Sequence, residues 1–132
     1  MGLFRKLFGI CDTPLPQDQA CWKLDGGKVK IDLSKAPELS SQGGAVRLED
    51  GGLPNRLLIF KGDDQKFYAF VNKCTHGGRR LDHKEGKIRC CSIGQSTFTY
   101  DGKMMSGSAK SPITPLAVEE TDGKLVIALA AP

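Results

Sequence analysis

The sequence predicts an all-β domain, a sandwich or barrel of short antiparallel strands, and three observations lead there. The apolar runs are four to six residues long, and several alternate with polar residues, which is the period of a half-buried strand. Sixteen glycines and seven prolines are spread along 132 residues, which suits a loop-rich β fold better than a helical bundle. Two Asp-Gly pairs, Asp101-Gly102 and Asp122-Gly123, each fall between apolar runs, where two-residue hairpin loops favour this dipeptide. The length allows one domain with its own core and is too short for two.

Residues 2–10 place Leu3, Phe4, Leu7 and Phe8 on one helical stripe, with Arg5 and Lys6 turned away. The following "CDTPLPQDQAC" is broken by prolines and reads as irregular. Residues 1–27 are therefore an N-terminal segment, a short amphipathic helix plus linker, and residues 28–132 are the folded domain. "KVKIDL" (28–33) alternates as a strand, and "APELSSQGG" (36–44) is a loop. "AVRLED", "RLLIF", "FYAFVN" and "KIRC" read as further strands separated by Gly, Asp and Pro. "FTYDGKMM" (98–105) predicts a hairpin turning at Asp101-Gly102. "PLAVEETDGKLVIAL" (115–129) predicts another, turning at Asp122-Gly123.

The net charge of +4 comes from Lys and Arg interspersed with Asp and Glu. No basic run is dense enough for a nucleic-acid groove, and the 7% aromatic content is too low for base-stacking platforms. Weak attraction to an acidic protein partner is what this charge supports. No apolar stretch reaches membrane-spanning length. "MGLFRKLFGI" has too short an apolar run for a signal peptide, and no small-residue cleavage site follows. The expected compartment is the reducing cytoplasm, and the N-terminal stripe is expected to dock on the chain's own sheet rather than on a membrane. Five cysteines cannot all pair within one chain, and clustered cytoplasmic cysteines are more often metal ligands than staples.

Two loops carry the chemistry. "CTHGG" places the thiol of Cys74 and the imidazole of His76 two positions apart, a spacing that lets one turn grip both irons of a small cluster. Gly77 and Gly78 allow the backbone to come close and aim its N–H groups at sulfur. The second loop begins at "RCCSIGQSTF" (89–98), where two cysteines stand side by side. The succession "CTHGGxxLD", a strand ending "IxC", then "STF", "DGK", a proline and a closing "GKLVI" hairpin resembles the Rieske iron–sulfur domain over roughly residues 28 to 129.

The resemblance implies an antiparallel Rieske-type β-sandwich with two cluster-binding loops and a [2Fe–2S] cluster. In the family, C-x-H on the first loop and C-x-x-H on the second supply two cysteines to one iron and two histidines to the other. Cys74 and His76 match the first loop. The second loop can be registered in two ways. Aligning "IRC" makes Cys90 the ligand and leaves Ile93 at the histidine position. Aligning "STF" makes Cys91 the ligand and leaves Gly94 there. The second register is preferred: it keeps Phe98 in place and puts Ser96 where the family often has a serine that hydrogen-bonds a bridging sulfide. Neither supplies the second histidine.

Cys90 is then the candidate fourth ligand. Neighbours on a strand face opposite ways, so it joins Cys91 at the cluster only if the "CSIG" turn rotates one of them round. His83 reads as a solvated surface residue. Arg79 and Arg80 should lie at the rim, where they would steer an acidic redox partner or form a solvated turn. Gly107-Ser108-Ala109 replaces the family's proline-containing cover. Cys11 and Cys21 fall outside the match; pairing, metal binding and packing of Trp22 against the domain are the readings open to them, and packing is the expectation.

The function implied is single-electron transfer through an atypically ligated [2Fe–2S] cluster, by a ferredoxin-like protein or an accessory subunit of an oxidoreductase rather than a free-standing enzyme. A thiolate in place of an imidazole stabilises the oxidised cluster and lowers its potential. The alternatives are a cluster-free Rieske fold acting as a binding or regulatory module, and a zinc site of three cysteines and one histidine.

Overall fold

The computed structural model describes residues 13–41, 43–49, 51–73, 80–84, 86–91, 96–106 and 112–129. The N-terminal stripe, the "CTHGG" loop, Ile93, Gly94 and the 107–109 segment lie outside them. Twelve strands are present among the described residues, in three antiparallel sheets of four.

The first sheet joins β1 (Trp22–Asp25), β2 (Lys28–Asp32), β12 (Lys124–Ala128) and β11 (Val118–Thr121), in that order. The second runs β10 (Pro115–Leu116), β5 (Phe67–Val71), β4 (Leu57–Lys61), β3 (Ala45–Leu48). The third runs β6 (Leu81–Lys84), β7 (Lys87–Cys90), β8 (Thr97–Phe98), β9 (Met104–Ser106).

The second sheet lies at the centre, because it is apolar on both faces. Along β4, Leu57 and Ile59 join a core with Val29, Ile31, Leu125 and Ile127 of the first sheet. Leu58 and Phe60 point the other way, into a core with Leu81, Ile88, Cys90 and Phe98 of the third. Side chains on a strand alternate between faces, so a strand with an apolar run and no alternation belongs between two layers. All four residues are 1% exposed or less.

The Asp122-Gly123 turn is present as expected, with Thr121 opposite Lys124 and positive φ at both turn residues, 52° and 74°. The hairpin at Asp101-Gly102 is also present, and its Gly102 (φ 86°) packs tightly. A Cβ there would come within 2.7 Å of the Ile113 carbonyl oxygen.

Three elements differ from the sequence reading. Trp22–Asp25 forms a strand with a two-residue Gly26-Gly27 loop (φ 58° and 80°), so one hairpin straddles the boundary drawn at residue 27. "LDHK" forms β6, held by its pairing with β7. Pro115–Leu116 leaves the closing hairpin and pairs with β5. None of the described helices is long and apolar enough to cross a membrane.

Candidate metal centre

The two candidate loops leave the same end of the central and third sheets. The first departs after β5 and returns at β6. Its base is closed by the Asn72 side chain, whose Oδ1 accepts the backbone N–H of Leu81 at 2.6 Å. Asn72 is itself fixed: its N–H donates to the Arg56 carbonyl at 2.8 Å, and its carbonyl accepts from Arg56 Nε and Nη2 at 3.3 and 3.1 Å. It is 1% exposed, and its Nδ2 is buried without a partner. A buried amide that leaves one donor unspent is uncommon, and here it sits two residues before Cys74.

The second loop departs after β7 and returns at β8, closed by Cys90 N–H donating to the Ser96 carbonyl at 2.8 Å. The loops are tied together where Cys91 N–H donates to the Arg80 carbonyl at 3.0 Å. This bond extends the β6–β7 register by one pair beyond Leu81 opposite Cys90.

That register separates the paired cysteines. Cys90 shares a face with Leu81 and Ile88 and enters the core beside Phe60, Phe70, Phe98 and Ile113. Cys91 falls on the other face, the one that carries Asp82 and Arg89. Both are buried, at 2% and 4% exposure. Cys91 is disulfide-bonded, whereas Cys21 and Cys90 carry thiols. Ser96 is buried at the mouth of the second loop. Cys74 and His76 lie outside the described residues, and among the described ones no group of three or more His, Cys, Asp and Glu is placed to hold a metal ion.

The rim is more ordered than the sequence indicated. Arg80 is committed to Glu49, with Nε at 2.6 Å from Oε2 and Nη2 at 3.0 Å from Oε1. Arg47 Nη1 adds a third contact to Glu49 at 2.8 Å. The Arg80 guanidinium holds the Glu49 carboxyl down at about 2, against the opposing effect of burial. Arg80 is therefore half of a structural ion pair rather than an unpaired steering charge.

His83 corrects its sequence reading. It is half-buried, stacked on Phe60 with centroids 4.0 Å apart and planes at 8°, and its Nε2 lies 2.8 Å from the Tyr100 hydroxyl. Burial lowers its pKa and keeps the ring neutral. Its signal in the sequence is the alternation Leu81-Asp82-His83, which puts the imidazole on the core face of β6. Cys21 is buried in the other core, beside the partly buried Trp22, and burial lifts its thiol to about 11.

A model of the Rieske [2Fe-2S] domain matches residues 30–120. The chain belongs to this family. It is 27% identical over 105 residues to the glycine betaine monooxygenase oxygenase subunit of Chromohalobacter salexigens, a match covering 70% of this chain and 23% of that protein. The Rieske chain thus spans under a quarter of that relative's length. Among solved structures, a quaternary ammonium Rieske monooxygenase in complex with L-carnitine aligns with a TM-score of 0.58 at 25% identity, over 71% of this chain and 30% of that one. A chain from the complex of reduced oxygenase and oxidised ferredoxin in carbazole 1,9a-dioxygenase aligns with a TM-score of 0.68. That match covers 82% of this chain and 98% of the other and, at 20% identity, speaks for the fold. The family match and the oxygenase-subunit relatives support an iron–sulfur electron-transfer role for the Rieske chain.

Proposed function

We propose that this protein carries single electrons through a [2Fe–2S] cluster held between the two loops, with Cys74, His76 and Cys91 as ligands, Cys91 binding as the thiolate that two-electron reduction of its disulfide by a cytoplasmic thiol reductant releases. The observation that carries the reading is the join between the loops. The Cys91-to-Arg80 hydrogen bond sets Cys91 against the returning end of the first loop, on the face opposite the core that Cys90 enters. The donor chemistry fits: thiolates and an imidazole are ligands for such clusters, and the spare Asn72 N–H at the loop base suits a site rich in sulfur acceptors. A bound cluster supplies a one-electron redox step.

The residues around it hold and insulate the site. Asn72 and Ser96 close the two loop bases, Arg80 joins them, and the Leu81–Cys90–Phe98 core excludes water from beneath. Cys90 as fourth ligand would have to leave that core. The protein would serve an oxidoreductase as a ferredoxin-like carrier or accessory subunit in the cytoplasm. Its net charge of +4 favours an acidic redox partner.

Anaerobic purification with iron and sulfide analysis tests the reading. The expected result is a red-brown protein with about two irons and two sulfides per chain. A colourless, folded product without iron would overturn electron transfer. Stoichiometric zinc in that product would select the zinc site, and its absence the binding module.

A further inference from the structure

Away from the two loops, positive charge gathers at one end of the first sheet. The inward side chains of this sheet, Val29, Ile31, Leu125 and Ile127, are buried in the core. Alternation turns Lys23, Lys30, Asp32 and Lys124 to its outer face, away from the central sheet. Lys23 stands directly opposite Lys30, and Lys124 directly opposite Asp32. Like charges placed opposite each other on a sheet repel, so the lysine pair works against the fold. Lys30 relieves part of this by reaching Asp25, with Nζ 3.1 Å from Oδ2. Lys23, Lys35 and Lys124 form no ion pair among the described residues.

The four lysines line one cavity of about 310 Å³, placed where β1 begins, β2 ends and β12 begins. Lys35 reaches it from the 3-10 turn Leu33–Lys35 that follows β2. Asp32 also lines it, but its Oδ1 already accepts the Ser34 backbone N–H at 3.0 Å and the Ser34 hydroxyl at 2.6 Å. Those bonds, with Lys35 and Lys124 nearby, hold the Asp32 carboxyl below its ordinary value. The described lining therefore sets four ammonium groups against one carboxylate. A concave wall of one sign focuses the field and concentrates a counter-ion. The volume is at the low end for ligand pockets, which suits a small ligand of high charge. The described lining offers lysine point charges and no arginine fork, and such charges match a phosphate better than a planar carboxylate.

We propose that this cavity binds the phosphate or diphosphate group of a small anionic ligand, with Lys23, Lys35 and Lys124 donating charge-assisted hydrogen bonds to its oxygens. The candidate loops leave the central and third sheets, so the site is separate from the metal centre and does not depend on the iron–sulfur reading.

The test titrates the full-length protein at low salt with inorganic phosphate, pyrophosphate and ADP. Binding is followed by calorimetry and by the fluorescence of Trp22, the only tryptophan in the chain and part of the cavity wall. Pyrophosphate should bind saturably and more tightly than phosphate, and 1 M sodium chloride should abolish binding. The double variant Lys35→Gln with Lys124→Gln should weaken it about tenfold, while Lys103→Gln, in the hairpin of the third sheet, leaves it unchanged. Asp32→Asn keeps an acceptor for Ser34 and removes the carboxylate from the wall. It should bind pyrophosphate more tightly than wild type, a gain that misfolding cannot mimic. ADP binding more tightly than pyrophosphate would identify a nucleotide as the ligand, and ADP binding no more tightly would identify the phosphate group alone. Absence of saturable binding by all three probes would overturn the site. So would unchanged affinity in the double variant, an equal loss in Lys103→Gln, or no gain in Asp32→Asn.

Discussion

Replacing Glu49 by Gln keeps the side chain's shape and removes the charge that joins Arg47 and Arg80. The Glu49 side chain is 14% exposed and takes three hydrogen bonds from the two guanidiniums, at 2.6, 2.8 and 3.0 Å. Its carboxyl is held at about 2 instead of 4.5, chiefly by Arg80. At about 1.4 kcal/mol per tenfold change in proton affinity, this amounts to roughly 3 kcal/mol favouring the folded, ionised form. Arg80 is 39% exposed, so solvent screening brings the expected loss down to about 2 kcal/mol. For a domain of this size that is a fall of roughly 6–10 °C in melting temperature.

The pH dependence follows from the direction of the shift. The folded-state pKa is depressed, so the stabilisation is complete above the unfolded value near 4.5 and is lost as pH falls through about 2. Thermal unfolding of wild type and Glu49→Gln, followed by circular dichroism between pH 7 and pH 2, should show a constant gap above pH 5 that closes toward pH 2. Equal melting temperatures at pH 7 would show that the ion pair contributes nothing. A gap that persists at pH 2 would assign its origin to packing instead.

Asn72→Ala leaves the buried Leu81 N–H without its acceptor and should cost about 1–3 kcal/mol, read from urea unfolding; unchanged stability would remove Asn72 as the clasp of the first loop. Gly102→Ala forces a methyl group against the Ile113 carbonyl at positive φ and should cost about 2 kcal/mol or more, whereas Gly26→Ala, with open space around it, should cost about 1 kcal/mol. The order of the two losses is the check. A nuclear magnetic resonance titration should find His83 titrating below the ordinary imidazole value of 6.5 because its charged form is desolvated, and a midpoint above that value would place the ring in solvent.

Local pattern in the sequence carried much of this protein. The short alternating runs, the Asp-Gly turns and the "CTHGG…CC…STF" order are properties of neighbouring residues, and they led to the β class, the closing hairpin and the Rieske family. β1 was hidden behind Gly26-Gly27, and β6 behind a His and two charged residues. A strand with a weak pattern of its own is fixed by the partner it pairs with. The direction in which each paired cysteine faces was also out of reach. Alternation says that Cys90 and Cys91 face apart, but only the register of β7 on β6 and the core beneath it say which of them is buried among Phe60 and Phe98. His83 is packed where solvent was expected, and Arg80 is ion-paired at the rim, for the same reason. Glu49 and Phe60 are brought beside them by the packing of the central sheet on the third, and Tyr100 by the β8–β9 turn of the third sheet itself, and a residue's solvation is set by such neighbours rather than by its own type.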